Sequence, residues 1–225
     1  EFVNGVAQIT LNNPNKNNVF DTMVLMELES ALVQAADNTK CKVIILSSSS
    51  SKLFTGGADI KEMITQTPEE AEAFSRLGHR IAKKLESETP PVIIGIRGFL
   101  SGGGLEFACA CDIRIASESA VFGQPEINIG IIPGWGGTQR LPKLIGITRA
   151  KEMIYTGRRI DAKTALEWGL INDLVLDEEL NEKMWEWAKL LASKSRHTLL
   201  AAKASIFNVL SDKGLEDGVE FEIRK

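Results

Sequence analysis

Histidine is nearly absent: His79 and His197 are the only two in 225 residues. A His-built metal centre or a Ser-His-Asp triad has little to draw on, and each histidine reads as a surface helix residue. The three cysteines, Cys41, Cys109 and Cys111, are odd in number, and the spacing Cys109-Ala-Cys111 is too tight for the usual zinc or redox pairs. They read as buried free thiols of a reducing compartment. No apolar run approaches the roughly 20 residues that cross a bilayer, so no membrane partner is expected. Positive charge has no excess either: 26 Lys+Arg stand against 30 Asp+Glu, for a net charge of −4. With one tyrosine and no basic–aromatic stripe, a nucleic-acid surface is not expected.

What is present is apolar substance. Hydrophobic residues make up 44 %, enough to exclude disorder and to build one domain or two closely joined ones. The chain starts at Glu1 without a methionine and stops at Lys225 inside a helical pattern, so both ends read as trimmed. The expected location is cytoplasmic, or the mitochondrial matrix if a transit peptide has been removed.

Strand and helix patterns alternate. Val6–Leu11 has period two, as a half-buried strand should. Asn12–Asn18 is a turn, and Asp21 caps a helix whose Leu25, Leu28, Leu32 and Ala35 form one stripe. Val43–Leu46 and Val92–Ile96 are continuous apolar runs, typical of strands covered on both faces. A long helix is predicted from about Pro68 to Leu85, a short one over Leu105–Ala110, and a strand over Ile113–Ala116. After Gly134 helices dominate: Thr148–Thr156, Ala162–Trp168, Glu178–Ser195, Thr198–Leu210 and one from Leu215. The sequence therefore predicts an α/β core over 1–160 and a helical region over 161–225.

Two glycine-rich segments follow apolar strands, Phe54-Thr55-Gly56-Gly57-Ala58-Asp59 and Ser101-Gly102-Gly103-Gly104. Neither matches a P-loop or the G-x-G-x-x-G dinucleotide spacing. They are either tight turns or a pair of loops whose backbone N–H groups converge on one oxygen. Glu106 sits in a first helical turn among Leu105, Phe107, Ala108, Cys109 and Ala110. Glu126 follows Pro125 and precedes Ile127. Each carboxylate alone reads as structural, but together, in apolar settings, they could take acid and base roles at neutral pH.

Four segments then carry a resemblance: Phe54-Thr55-Gly56-Gly57-Ala58-Asp59-Ile60-Lys61, Ser101-Gly102-Gly103-Gly104-Leu105-Glu106, Phe122-Gly123-Gln124-Pro125-Glu126, and Pro133-Gly134-Trp135-Gly136-Gly137-Thr138-Gln139-Arg140-Leu141. In that order and spacing the chain resembles the crotonase, or enoyl-CoA hydratase/isomerase, family over its whole length.

The resemblance implies a spiral of ββα units and a C-terminal helical region that trimerises, giving a homotrimer or a hexamer of paired trimers. It implies an acyl-CoA substrate and no separate cofactor, coenzyme A being part of the substrate, with no metal. By motif position the thioester oxygen accepts bonds from the N–H groups of Ala58 and Gly103. Glu106 activates water and Glu126 protonates the α-carbon, which is the pattern of a 2-enoyl-CoA hydratase. Alternatives are a double-bond isomerase, a branched or short-chain hydratase-dehydratase, and, remotely, a non-catalytic RNA- or CoA-binding protein. The stretch Ala58, Asp59, Ile60 and Lys61 would line the substrate, Lys52 and Lys61 would meet CoA phosphates, and Asn18 and Val19 would pass near the adenine. Val19-Phe20 departs there from the family's Ala-Leu. The segment Met63–Arg76, which walls the acyl pocket in relatives, reads as mobile, and by resemblance the chain ends about thirty residues early.

Overall fold

The computed structural model describes residues 1–207. The described strands form two sheets, and from the third strand to the eighth they join one sheet and the other in turn. The six-stranded sheet has the order β1-β2-β3-β5-β7-β10, built from Phe2–Val3, Val6–Leu11, Val43–Ser48, Val92–Ile96, Ile113–Ser117 and Asp173–Val175. The four-stranded sheet runs β4-β6-β8-β9, from Leu53–Thr55, Phe99–Ser101, Val121–Gly123 and Arg159–Asp161. Strand pairs β3/β4, β5/β6 and β7/β8 thus give one strand to each sheet, and neighbouring units pair in parallel. This is the expected repetition of ββα units.

The helices that close these units are α1 (Thr22–Asp37), α2 (Ile60–Met63), α3 (Pro68–Lys83) and α4 (Gly103–Ala110). Next come α5 (Gly137–Ile145), α6 (Ile147–Thr156), α7 (Ala162–Glu167), α8 (Leu180–Ala192) and α9 (Arg196–Phe207). The Asp21 carboxylate accepts from Val24 N at 2.8 Å, and Leu25, Leu28, Leu32 and Ala35 are the buried face of α1, as the sequence pattern predicts.

The apolar runs are explained by two cores. Ile44, Leu46, Ile94 and Ile96 face a main core shared with α1, α3 and α4, whereas Val43, Ile45, Ile93 and Ile115 face a second core under α8, with Leu180, Met184 and Ala188. A strand buried on both faces has no polar alternation to show. Gly95 lets α8 come close: a β-carbon there would stand 1.9 Å from the Met184 sulfur.

Several expectations need adjusting. The region 161–225 contributes a strand, β10, which pairs in parallel with β7. The long helix becomes α3 up to Lys83 and then a π-helical turn over Lys84–Glu88. The segment Met63–Arg76 is helical from Pro68 on, with a reciprocal cap: Thr67 Oγ1 accepts from Glu70 N, and the Glu70 carboxylate accepts from Thr67 N. The cysteine and histidine expectations hold: the three cysteines are free and buried, and both histidines are exposed on helices. The helix expected from Leu215 and the end of the one reaching Leu210 lie outside the described residues. Among the described residues no helix is long and apolar enough to cross a membrane.

Candidate active site

Helix α4 is buried at all eight positions, which few helices with a glutamate in them are. It is entered through Gly102, whose φ of 54° and ψ of −127° suit only glycine. Opposite lies the other glycine loop, with Gly57 at φ 85°. A β-carbon on Gly57 would stand 3.0 Å from Ser101 O and 3.5 Å from Gly103 N, so the two loops touch, backbone to backbone. The N–H groups of Ala58 and Gly103 find no acceptor among the described residues. Gly103 opens α4, where helix geometry leaves donors unpaired and the dipole is positive.

Glu106 lies in the first turn of α4 and is 2 % exposed. One oxygen, Oε1, accepts from Trp135 N at 2.8 Å and from Gly137 N at 2.7 Å. Burial pushes the carboxyl up from its ordinary 4.5 to about 7, the Gly137 amide and then the Trp135 amide pull it back, and the nearby Glu126 charge adds to the rise.

Glu126 opens a single 3-10 turn, Glu126–Ile129. Its Oε1 accepts from Gln124 Nε2 at 2.7 Å, while Oε2 is buried and has no hydrogen-bond partner among the described residues. Burial raises this carboxyl too, against the pull of the Gln124 amide. An unpartnered buried oxygen of this kind is costly unless a ligand or water completes it.

Both glutamates line one cleft of about 280 Å³, together with Ala58, Ile60, Gly103 and Trp135. Its other wall is apolar, with Met63, Phe74, Ile129, Ile131 and Ile132. The floor is aromatic: the Trp135 indole stacks on Phe107 with centroids 5.0 Å apart and planes 10° apart, and meets Phe74 at 5.4 Å.

The structure thus brings together Ala58, Ile60, Gly103, Glu106 and Glu126. Lys52 and Lys61 are exposed and do not line the cleft. Asp59 caps α2, accepting from Lys61 N at 2.9 Å. The Asn18 amide is committed to the fold, donating to Ser48 Oγ and Phe54 O and accepting from Asn13 N. Val19 packs against Gly56, which carries the first glycine loop. Phe74 lies within the Met63–Arg76 segment expected by resemblance to wall the acyl pocket, whereas sequence reasoning gave no role to the Trp135 ring. The only signal for Trp135 was an apolar side chain inside a glycine-rich motif.

A model of the family described as enoyl-CoA hydratase/isomerase matches residues 1–225. The chain is 39 % identical to a short-chain-enoyl-CoA hydratase of Clostridium acetobutylicum, over 89 % of this chain and 77 % of that protein. It is 38 % identical to a crotonyl-CoA hydratase of Syntrophomonas wolfei with the same coverage. The crystal structure of an enoyl-CoA hydratase from Bacillus anthracis superimposes with a TM-score of 0.93 at 40 % identity, covering 98 % of this chain and 85 % of that one. An enoyl-CoA hydratase structure from Thermoplasma volcanium gives 0.91 at 34 % identity, covering 100 % and 88 %. With its four motifs, its paired-sheet fold, the buried Glu106 and half-buried Glu126 on one cleft, and these matches, the chain belongs to the enoyl-CoA hydratase/isomerase family.

Proposed function

We propose that the protein is a 2-enoyl-CoA hydratase, adding water across the double bond of a trans-2-enoyl thioester to give the 3-hydroxyacyl thioester. The observation that carries this is the buried Glu106 and the half-buried Glu126, both with raised pKa, sharing one cleft with two backbone N–H groups that lack acceptors among the described residues.

The dyad enters the reaction holding one proton. Glu106, ionised, takes a proton from water as its oxygen bonds to the β-carbon. The π electrons shift toward the thioester, and the oxygen that gains charge lies between the N–H groups of Ala58 and Gly103. Donors fixed in place before charge develops favour this enolate over the ground state. Glu126, protonated, then delivers its proton to the α-carbon on the same face. The dyad still carries one proton, now on Glu106, and its return to Glu126 resets the site. Neither step calls for a separate cofactor.

The apolar wall from Met63 to Ile132 would receive the acyl chain, and the exposed Lys52 and Lys61 are free to meet CoA phosphates. Ile127, Ile129, Ile131 and Ile132 are exposed in one short stretch, which favours burial in a homotrimer or a pair of trimers. Buried free thiols favour a reducing, cytoplasmic setting.

The test follows loss of the conjugated enoyl-thioester absorbance with crotonyl-CoA. Wild type should turn over rapidly, and Glu106→Gln and Glu126→Gln should each lose about a hundredfold or more in kcat. Full activity in Glu106→Gln would overturn the assignment. An inactive wild type that shifts the double bond of a 3-enoyl thioester would make the protein an isomerase.

A further inference from the structure

Of the two amides that grip Glu106, Gly137 N opens α5, while Trp135 N lies in the irregular stretch just before that helix. Gly136, between Trp135 and Gly137, stands at φ 103°, and the grip depends on both neighbouring N–H groups pointing at one carboxylate oxygen. What fixes the segment is a set of side chains behind it. Ser75 Oγ donates to Gly134 O at 2.8 Å. Arg140 Nη1 donates to Trp135 O at 3.1 Å, on the peptide unit that leads into Gly136. The same guanidinium turns its Nε and Nη2 toward Glu86, both donating to Oε2, at 3.1 and 2.8 Å. The two side chains keep only 16 % and 13 % of their exposure.

Glu86 belongs to the π-helical turn Lys84–Glu88 at the end of α3. A wide turn of this kind is uncommon and recurs beside functional sites. Neither Glu86 nor Arg140 lines the cleft. All three guanidinium nitrogens are nevertheless spent, two on Glu86 and one on the carbonyl next to the Glu106 grip. A point charge would not need that fork.

We infer that Glu86 and Arg140 are positioning residues for the hydration step: a strut from the π-helical turn that holds the Trp135–Gly137 amides on Glu106. This rests on the hydratase reading for its consequence in rate, though not for its consequence on Glu106 itself. Arg140 also contributes charge. Its guanidinium is among the groups that lower Glu106, alongside the two amides, while Glu126 across the cleft raises it. Cys109 lies on Glu106's own helix, and His79 of α3 and Glu86 stand behind Arg140.

The experiment compares Glu86→Gln, Arg140→Lys and the double variant with wild type, assayed below the melting temperature of each. Arg140→Lys keeps the charge and loses the fork; Glu86→Gln keeps the size and loses the ion pair. Each single variant should lose about tenfold in kcat with crotonyl-CoA, with KM changed less than about threefold. The double should lose little more than the worse single, because both break one strut. A second readout is independent of turnover: the Glu106 carboxyl followed by NMR in 13C-glutamate-labelled protein, assigned with Glu106→Gln. Its signal should move in Glu86→Gln, and its titration midpoint should rise in a fourth variant, Arg140→Gln, which removes the charge as well as the fork. Single variants within twofold of wild type in kcat, or a change in KM alone, would overturn the strut. If the wild type proves not to be a hydratase, an unmoved Glu106 signal in Glu86→Gln still overturns it, and a moved one still supports it.

Discussion

The Trp135 indole lies directly over Gly103, so close that a β-carbon there would stand 2.2 Å from its Cζ3 and 2.4 Å from its Cε3. Gly103 is therefore glycine for reasons of packing as much as of catalysis. The ring cannot step aside, because Phe107 stacks on it, Phe20 meets it edge-on at 6.0 Å, and Gly78 of α3 is so close that a β-carbon there would stand 2.3 Å from its Cδ1. Gly103→Ala should cost about 1–3 kcal/mol in stability and displace the N–H of residue 103. Denaturant melts of Gly103→Ala, Trp135→Ala and the double variant check this. A clash predicts that the double costs less than the two singles summed. Strict additivity would place the strain elsewhere.

The two glutamates should titrate as a pair. The active form holds one proton, so below the lower apparent pKa no base remains, and above the upper one no acid remains. The profile of kcat/KM against pH is expected to be bell-shaped, its values belonging to the dyad and not to either residue. Because the Glu126 charge raises Glu106, Glu126→Gln should bring the Glu106 midpoint down from about 7. Measuring that midpoint by NMR in both proteins tests it, and an unchanged value would mean that the two carboxylates do not sense each other.

Holding Glu106 in this site costs stability at neutral pH. The carboxyl titrates near its ordinary 4.5 in an unfolded chain and near 7 in the fold, so the folded state binds the proton more tightly between those values. Its favourable contribution is complete below about 4.5 and is lost as pH rises through 7. Glu106→Gln can still accept from both amides and carries no charge. It should be more stable than wild type at pH 8, by about 1–3 kcal/mol, with the difference shrinking toward pH 5. Thermal melts across that range decide the matter; a variant less stable at pH 8 would mean the amide grip outweighs burial.

Much of this was legible in the sequence, for identifiable reasons. Asp21 and the Leu25-Leu28-Leu32-Ala35 stripe announced α1, since a cap and a period of 3.6 are local properties of the chain. Glu106 was conspicuous because a charge among Leu105, Phe107 and Ala108 has few bland explanations. Less visible were relations between distant residues. β10 is only three residues long and forms because β7 offers an open edge. Gly95 looks like any strand glycine until Met184 of α8 is set against it. The links from Glu86 to Arg140 and from Ser75 to Gly134 span 54 and 59 positions, and no periodicity predicts them.

Lys203 illustrates a last such relation, with a consequence for the end of the fold. It lies on α9, is 6 % exposed, and reaches Asp112 Oδ2 at 2.7 Å, Leu85 O at 2.6 Å and Pro90 O at 3.3 Å. The same Asp112 oxygen accepts from Val92 N at 2.7 Å, so one ion pair joins α9 to the start of β5 and to the π-helical turn. Losing the lysine leaves the Asp112 carboxylate, whose side chain is 28 % exposed, without its cation and takes a donor from two carbonyls, which should cost about 2–3 kcal/mol. Lys203→Met should therefore destabilise strongly. Lys203→Met with Asp112→Asn should cost less than the two single changes summed, because neither charge is then left alone. Denaturant midpoints of the three variants measure the coupling, and hydrogen exchange in α9 shows whether that helix loosens first. A cost below about 1 kcal/mol for Lys203→Met, the range of exposed ion pairs, would show that apolar packing and not this lysine holds α9 in place.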